Sequence, residues 1–134
     1  MSDLTNISVG SIKISPYIYQ IVGETVLSGD LCYLNSDGTY KKANALSAIT
    51  MPAVVIAYDN ITSGSTGRLL RQGDITNSNW NFTPGNMIYV SDVTAGSATS
   101  TVPVSSLHQI QQVGYATNNT TIYFNPQLLV MELT

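Results

Sequence analysis

The stretch MPAVVIAYDNITSGSTGRLLRQGDI, Met51 to Ile75, decides the fold class. Ala53-Val54-Val55-Ile56-Ala57-Tyr58 is a short apolar run rich in β-branched residues, the pattern of a buried strand. Asp59 to Gly67 is polar and carries two glycines, the make-up of a loop. Arg68-Leu69-Leu70-Arg71-Gln72 alternates back into a strand that Gly73-Asp74 closes. Outward from this pair the same punctuation continues. Leu31-Cys32-Tyr33-Leu34 and Thr39-Tyr40-Lys41-Lys42-Ala43 flank Asn35-Ser36-Asp37-Gly38, where Asp-Gly signals a tight hairpin. Met87-Ile88-Tyr89-Val90, the alternating segment from His108 to Ala116, Thr120 to Phe124, and an apolar Leu128 to Leu133 complete the expected strands. Only Asn44 to Thr50 has helical character, for a turn or two. Short strands between turns predict an all-β fold, a compact antiparallel β-sandwich or barrel.

Two blocks recur in order. Gly29-Asp30-Leu31-Cys32-Tyr33-Leu34 echoes Gly85-Asn86-Met87-Ile88-Tyr89-Val90 at an offset of 56, and Val54-Val55-Ile56-Ala57 echoes Val113-Gly114-Tyr115-Ala116 at an offset of 59. The near-equal offsets suggest an internal duplication, half-repeats 24–75 and 80–126, packed about a pseudo-twofold. Residues 1–20 have a different character. Ser11-Ile12-Lys13-Ile14-Ser15 alternates like a strand, but Pro16 restricts it to a sheet edge or an extended N-terminal arm. An arm ordered on a neighbouring subunit and an ordinary edge strand fit equally well. Residues 21–134 read as a single β domain.

Composition narrows the function. The chain has 134 residues, enough for one domain with a real core. Charged residues are 10%, against about 25% in typical domains. Ser, Thr, Asn and Gln number 15, 15, 11 and 6, so hydroxyls and amides solvate the surface. Sparse charge favours contact between like surfaces and hence a homo-oligomer. Five Lys and Arg cannot neutralise many phosphates, so nucleic acid is not an expected partner. Met1-Ser2-Asp3-Leu4 has no signal-peptide pattern and no run of 18 apolar residues occurs, so synthesis in a cytoplasm without membrane attachment is expected. The five Asn-x-Ser/Thr matches, at Asn6, Asn60, Asn81, Asn118 and Asn119, follow from a chain rich in these residues.

The residue types needed for catalysis are scarce. His108 is the only histidine and reads as a solvated imidazole at a strand edge. Cys32, the only cysteine, lies between Leu31 and Tyr33 and reads as a small buried hydrophobe. Asp30, Asp37, Asp59, Asp74 and Asp92 sit beside turns or strand ends, where Asp caps backbone groups. Neither a carboxylate pair nor a Ca²⁺ loop stands out, and Ser63-Gly64-Ser65-Thr66-Gly67 lacks the lysine of a phosphate-binding loop. No catalytic residue, cofactor or metal site is expected. Trp80 with Asn77, Asn79 and Asn81 is a candidate stacking platform beside amides, with Trp80, Asn79 and Asn81 as the candidate glycan contacts, against the alternative of a tryptophan half-buried on a strand face.

Gly29-Asp30-Leu31-x-Tyr33-Leu34-x-x-Asp37-Gly38-x-Tyr40-x-x-Ala43, then Met51-Pro52-Ala53-Val54-x-Ile56-Ala57 and Gly64-x-Thr66-Gly67-Arg68-x-Leu70-x-x-Gly73, resembles a β-domain of tailed-bacteriophage virion proteins. Pro84-Gly85-x-x-Ile88-Tyr89-Val90, Gln112-Val113-Gly114-Tyr115-Ala116 and Ile122-x-Phe124-Asn125-Pro126 continue the likeness, which spans Gly23 to Leu133. The domain occurs in head fibres, capsid decoration proteins and the ends of tail fibres. The resemblance implies a β-rich homotrimer on the capsid exterior of a virion, with the major capsid protein as partner and no catalytic residue. The chain lacks a coiled-coil or collagen-like stalk, which favours a compact decoration protein. Leu4, Ile7, Val9, Ile12 and Ile14 are then the candidate capsid-attachment residues. A host-receptor or glycan-binding module of a phage fibre is the alternative.

Overall fold

The computed structural model describes residues 15–134. Leu4, Ile7, Val9, Ile12 and Ile14 lie outside them. The described residues are all-β, apart from a single 3-10 turn at Ala48–Thr50 capped by Ser47, whose hydroxyl accepts from the Ile49 amide. Two open five-stranded antiparallel sheets share a core, giving a sandwich. The first sheet is built from β1 (Tyr17–Ile21), β2 (Leu31–Leu34), β3 (Tyr40–Lys42), β4 (Val55–Ala57) and β5 (Thr66–Leu70), in the order β1-β5-β4-β2-β3. Arg71-Gln72 carries the chain into the second sheet. It comprises β6 (Gly73–Thr76), β7 (Met87–Val90), β8 (Ala98–Thr99), β10 (Gln112–Ala116) and β11 (Thr121–Phe124), in the order β6-β11-β10-β7-β8. A small ribbon pairs β9 (Gln109–Ile110) with β12 (Met131–Glu132).

The two strand orders are the same, with β1, β2, β3, β4 and β5 matched by β6, β7, β8, β10 and β11. Register agrees at the central pairs, up to a bulge between Gln112 and Gly114 that the first sheet lacks. Leu31 faces Ile56 and Cys32 faces Val55 in the first sheet; Met87 faces Tyr115 and Ile88 faces Gly114 in the second. The turns agree as well. The Gly29 N–H donates to the Ala57 carbonyl and the Ala57 N–H to the Asp30 carbonyl, as Gly85 does to Ala116 and Ala116 to Asn86. Gly29 and Gly85 both have positive φ, 95° and 90°, which glycine adopts without steric cost. The duplication therefore begins at β1 and β6, one strand earlier in each half than the sequence echo reaches. Residues 1–20 and 21–134 divide inside β1, which is an edge strand paired along its length with β5.

The relation between the halves differs from a pseudo-twofold. The first sheet has a front face of Leu31, Tyr33, Ile56 and Leu70 and a back face of Cys32, Val55, Ala57 and Leu69. Its front packs on Ile75, Ile88, Ala116, Ile122 and Phe124, which belong to the back of the second sheet. A twofold would require the reciprocal contact, second front on first back, and that contact is not made. Val22, Val26 and Ile61 close the first back face instead. Loop length accounts for the asymmetry. The eight residues Tyr58–Ser65 between β4 and β5 are long enough to fold Ile61 over that face, zipped to the β1–β2 connection through paired Val26–Ile61 backbone bonds of 2.9 Å. The four residues Thr117–Thr120 between β10 and β11 leave the second back face open to the first sheet.

Three further contacts lock the stack. Buried Gln111 stands in for a strand: its Oε1 accepts from the Ala53 N–H, and its Nε2 donates to the Ala53 and Gln127 carbonyls at 2.8 and 2.7 Å. Gly114 lies where a Cβ would overlap the Tyr123 carbonyl oxygen, so β10 and β11 approach as only glycine permits. Arg68 makes a two-pronged pair with Asp59, and its guanidinium lies 4.7 Å from the Tyr58 ring centre and 5.7 Å from that of Tyr17. The expected final strand Leu128–Leu133 shrinks to Met131–Glu132, and Leu128 and Leu129 are exposed. An apolar run without a sheet edge to pair with does not make a strand.

Candidate functional site

Two surfaces stand out, a polar groove around Trp80 and the front face of the second sheet. The groove, of about 660 Å³, is open and lined by Leu27, Ser28, Asp30, Asn60, Asn77 and Trp80, with Asn79 on its wall. Gly29 lets Asn77 and the indole close over the turn, since a Cβ there would lie 2.6 Å from Asn77 Nδ2 and 3.2 Å from the ring. The half-buried indole packs on the core and on Phe82, ring centres 5.7 Å apart. Most of the amides hold the chain together. Asn77 Nδ2 donates to the Ser28 carbonyl at 3.0 Å while its Oδ1 accepts from the Asn79 N–H at 2.9 Å. Asn60 Oδ1 accepts from the Ser28 N–H at 2.9 Å. Asp30 accepts from the Leu27 N–H, and burial holds its carboxyl above the usual carboxylate range.

Of the residues singled out from sequence, Trp80 and Asn79 line the groove, whereas Asn81 is exposed and outside its lining. Asn77, Asn60, Ser28 and Asp30 come from three separate turns; Asn77 belongs to the cluster expected around Trp80, and Asp30 to the Gly29-Asp30 echo.

The second front face was not anticipated. Met87, Tyr89, Tyr115 and Tyr123 occupy the register positions of Leu31, Tyr33, Ile56 and Leu70. They point away from the core; Met87 is 41% and Tyr115 46% exposed. Tyr115 and Tyr123 pack ring to ring at 5.7 Å, and Gln72 Nε2 donates to the Tyr123 hydroxyl at 2.6 Å. A shallow hollow between them is lined by Gln112, Gly114, Asn125 and Gln127, none of them charged. Burial alternates along Met87-Ile88-Tyr89-Val90, with Ile88 and Val90 inside, but all four residues are hydrophobic, so the sequence does not state which pair faces out.

The candidates for chemistry fall into structural roles. His108 is not a free strand-edge imidazole: it is largely buried, and Nδ1 lies 2.8 Å from Asp92 Oδ2. No serine, threonine or cysteine side chain is hydrogen-bonded to that imidazole among the described residues. Cys32 is fully buried, and burial pushes its thiol far above the ordinary range, with Asp30 and Glu24 adding to the effect. Asp37 is held down to about 2 by the Thr39 N–H, the Thr39 hydroxyl and Asn35, a turn cap. Among the described residues no three His, Cys, Asp or Glu side chains gather as metal ligands, and no helix is long and apolar enough to cross a membrane.

Comparison of the chain with protein-family models, with curated proteins and with solved structures gives no match.

Proposed function

We propose that this chain is a non-enzymatic structural protein of a tailed-bacteriophage virion, of the capsid decoration or head-fibre type, that binds the outer capsid surface as a homotrimer. The observation that carries the reading is the second front face, a tyrosine and methionine surface free of charge at its centre on a chain with 10% charged residues. Such a surface is suited to protein contact and poorly suited to nucleic acid. The resemblance supplies the setting. The motifs that carry it form the turns into β2 and β7 and the inner strands β4 and β10. The segment before β1, with Leu4, Ile7, Val9, Ile12 and Ile14, supplies the apolar attachment to the capsid. Docking across several capsomers stabilises the assembled shell because that site exists only in the assembled state.

Co-sedimentation of the full chain with undecorated capsids tests this. Binding by the wild type that is lost when Ile12 and Ile14 are both replaced by Asp, at unchanged Tm and oligomer mass, is the expected result. Undiminished binding would overturn the attachment.

The groove favours a second reading, a glycan-binding module of a phage fibre, because Trp80 presents an indole beside Asn79 and Asn60. Glycan-array binding that disappears in Trp80→Ala with the fold intact would establish it.

A further inference from the structure

We propose that the front face of the second sheet, centred on Met87 and Tyr115, seats a second copy of this chain. The inference names the surface that makes the homo-oligomer, and rests on the reading above for the identity of the partner alone.

The internal duplication carries the argument. In the first sheet the four front positions are Leu31, Tyr33, Ile56 and Leu70, all buried by the second sheet. The same four positions in the second sheet hold Met87 and Tyr115, which are exposed, and Tyr89 and Tyr123, which are half-buried, and among the described residues no sheet packs on them. One front face is thus an intramolecular interface, and its equivalent is the same architecture without a partner. Had selection kept that face in water, the outward positions would carry the Thr, Ser and Asn that dominate the rest of the surface. Tyr and Met are instead the residues enriched at the centres of protein interfaces, where Lys, Glu and Asp are depleted.

Charge points to a second copy as the occupant. Among the described residues, the charges bordering the face are Arg71, beside the hollow next to Tyr123, and Asp74, opposite Tyr123 in β6. One positive and one negative group make a rim that a neighbouring copy of this sparsely charged chain can complement, and that neither a polyanion nor an anionic membrane would select. Area fits if the rim takes part. Five strands at about 4.8 Å and four residues at about 3.4 Å give a sheet face of about 330 Å². A stable interface needs about 800 Å² from each partner. Gln127, which lines the hollow, is followed in the chain by Leu128 and Leu129, both exposed.

Sedimentation velocity on the full chain tests the proposal. The wild type is expected to sediment as an oligomer at about 20 µM, and Met87→Glu and Tyr115→Glu each to shift it toward 14.4 kDa, weakening association at least ~100-fold, as expected for charges placed at an interface centre. Ile49→Glu, a charge at a site 83% exposed on the 3-10 turn, should leave the mass unchanged. A second measurement covers any variant that fails to fold. In Met87→Cys, maleimide labelling should be fast in dilute protein and protected as concentration rises. Wild-type mass in both Glu variants, a monomeric wild type, or concentration-independent protection of Cys at position 87 would each overturn the proposal. Capsid co-sedimentation reads the virion assignment separately: an oligomer broken by Tyr115→Glu that never binds capsids keeps this surface and removes that assignment.

Discussion

Replacing Gln111 by Leu tests whether one buried amide holds the two halves of the stack together. Gln111 is 1% exposed and makes three hydrogen bonds, two to the backbone of Ala53 and one to the Gln127 carbonyl. Leu fills a similar volume and keeps none of them. Each buried group left without a partner costs about 1–3 kcal/mol, so losing the Ala53 N–H, the Ala53 carbonyl and the Gln127 carbonyl costs about 3–9 kcal/mol. Burying the apolar leucine side chain returns about 1–2 kcal/mol. The net loss is about 1–8 kcal/mol. With an unfolding entropy of about 2.1 cal/mol/K per residue, this domain changes by about 0.28 kcal/mol per degree, so Tm should fall by about 4–28 °C. Thermal and urea unfolding, both in the Tyr115→Glu background so that subunit association does not add to stability, give the value. A Tm within about 2 °C of the parent, at an unchanged urea slope, would refute the role assigned to the amide.

Three other outcomes follow from particular residues. Gly114→Ala places a methyl against the Tyr123 carbonyl at φ 151°, and should lower Tm by about 10 °C or prevent folding, read by circular dichroism. Asp30→Asn should be neutral or raise Tm by up to about 4 °C at pH 7, because Asn86 makes the equivalent turn bond to the Thr83 N–H. Burial raises the folded-state pKa of Asp30, so its ionised form weakens the fold above that pKa, and the cost fades as pH falls through it. The gain from Asn should accordingly shrink toward pH 4, and a loss beyond about 5 °C at pH 7 would contradict the equivalence. Cys32 should resist thiol reagents for hours in the native protein and react stoichiometrically in urea, and rapid native labelling would contradict its burial.

Much of the fold was legible because strand pairing here follows local chemistry. Asp37-Gly38 made a hairpin, the β-branched run at Val54–Ile56 made an inner strand, and the Gly29 and Gly85 blocks announced the duplication. What stayed hidden depended on contacts distant in sequence. β1 and β6 correspond by register alone, as Ile18 pairs with Leu69 and Ile75 with Ile122, while their side chains otherwise differ. The front-to-back stacking turned on where Ile61 folds, which loop composition does not state. Of the groove, Trp80 and Asn79 were visible as a cluster, but Asn60 and Ser28 arrive from other turns through hydrogen bonds that no local pattern encodes. Asn81 sat in the same cluster yet falls outside the groove.

The oligomeric state of the full chain tests the account most directly. Light scattering on the purified protein at about 20 µM should give a mass near three times 14.4 kDa, as expected for a trimer that covers its second front face. A single species at 14.4 kDa, persisting as concentration is raised tenfold, would contradict it and leave the Trp80 groove as the surface to pursue.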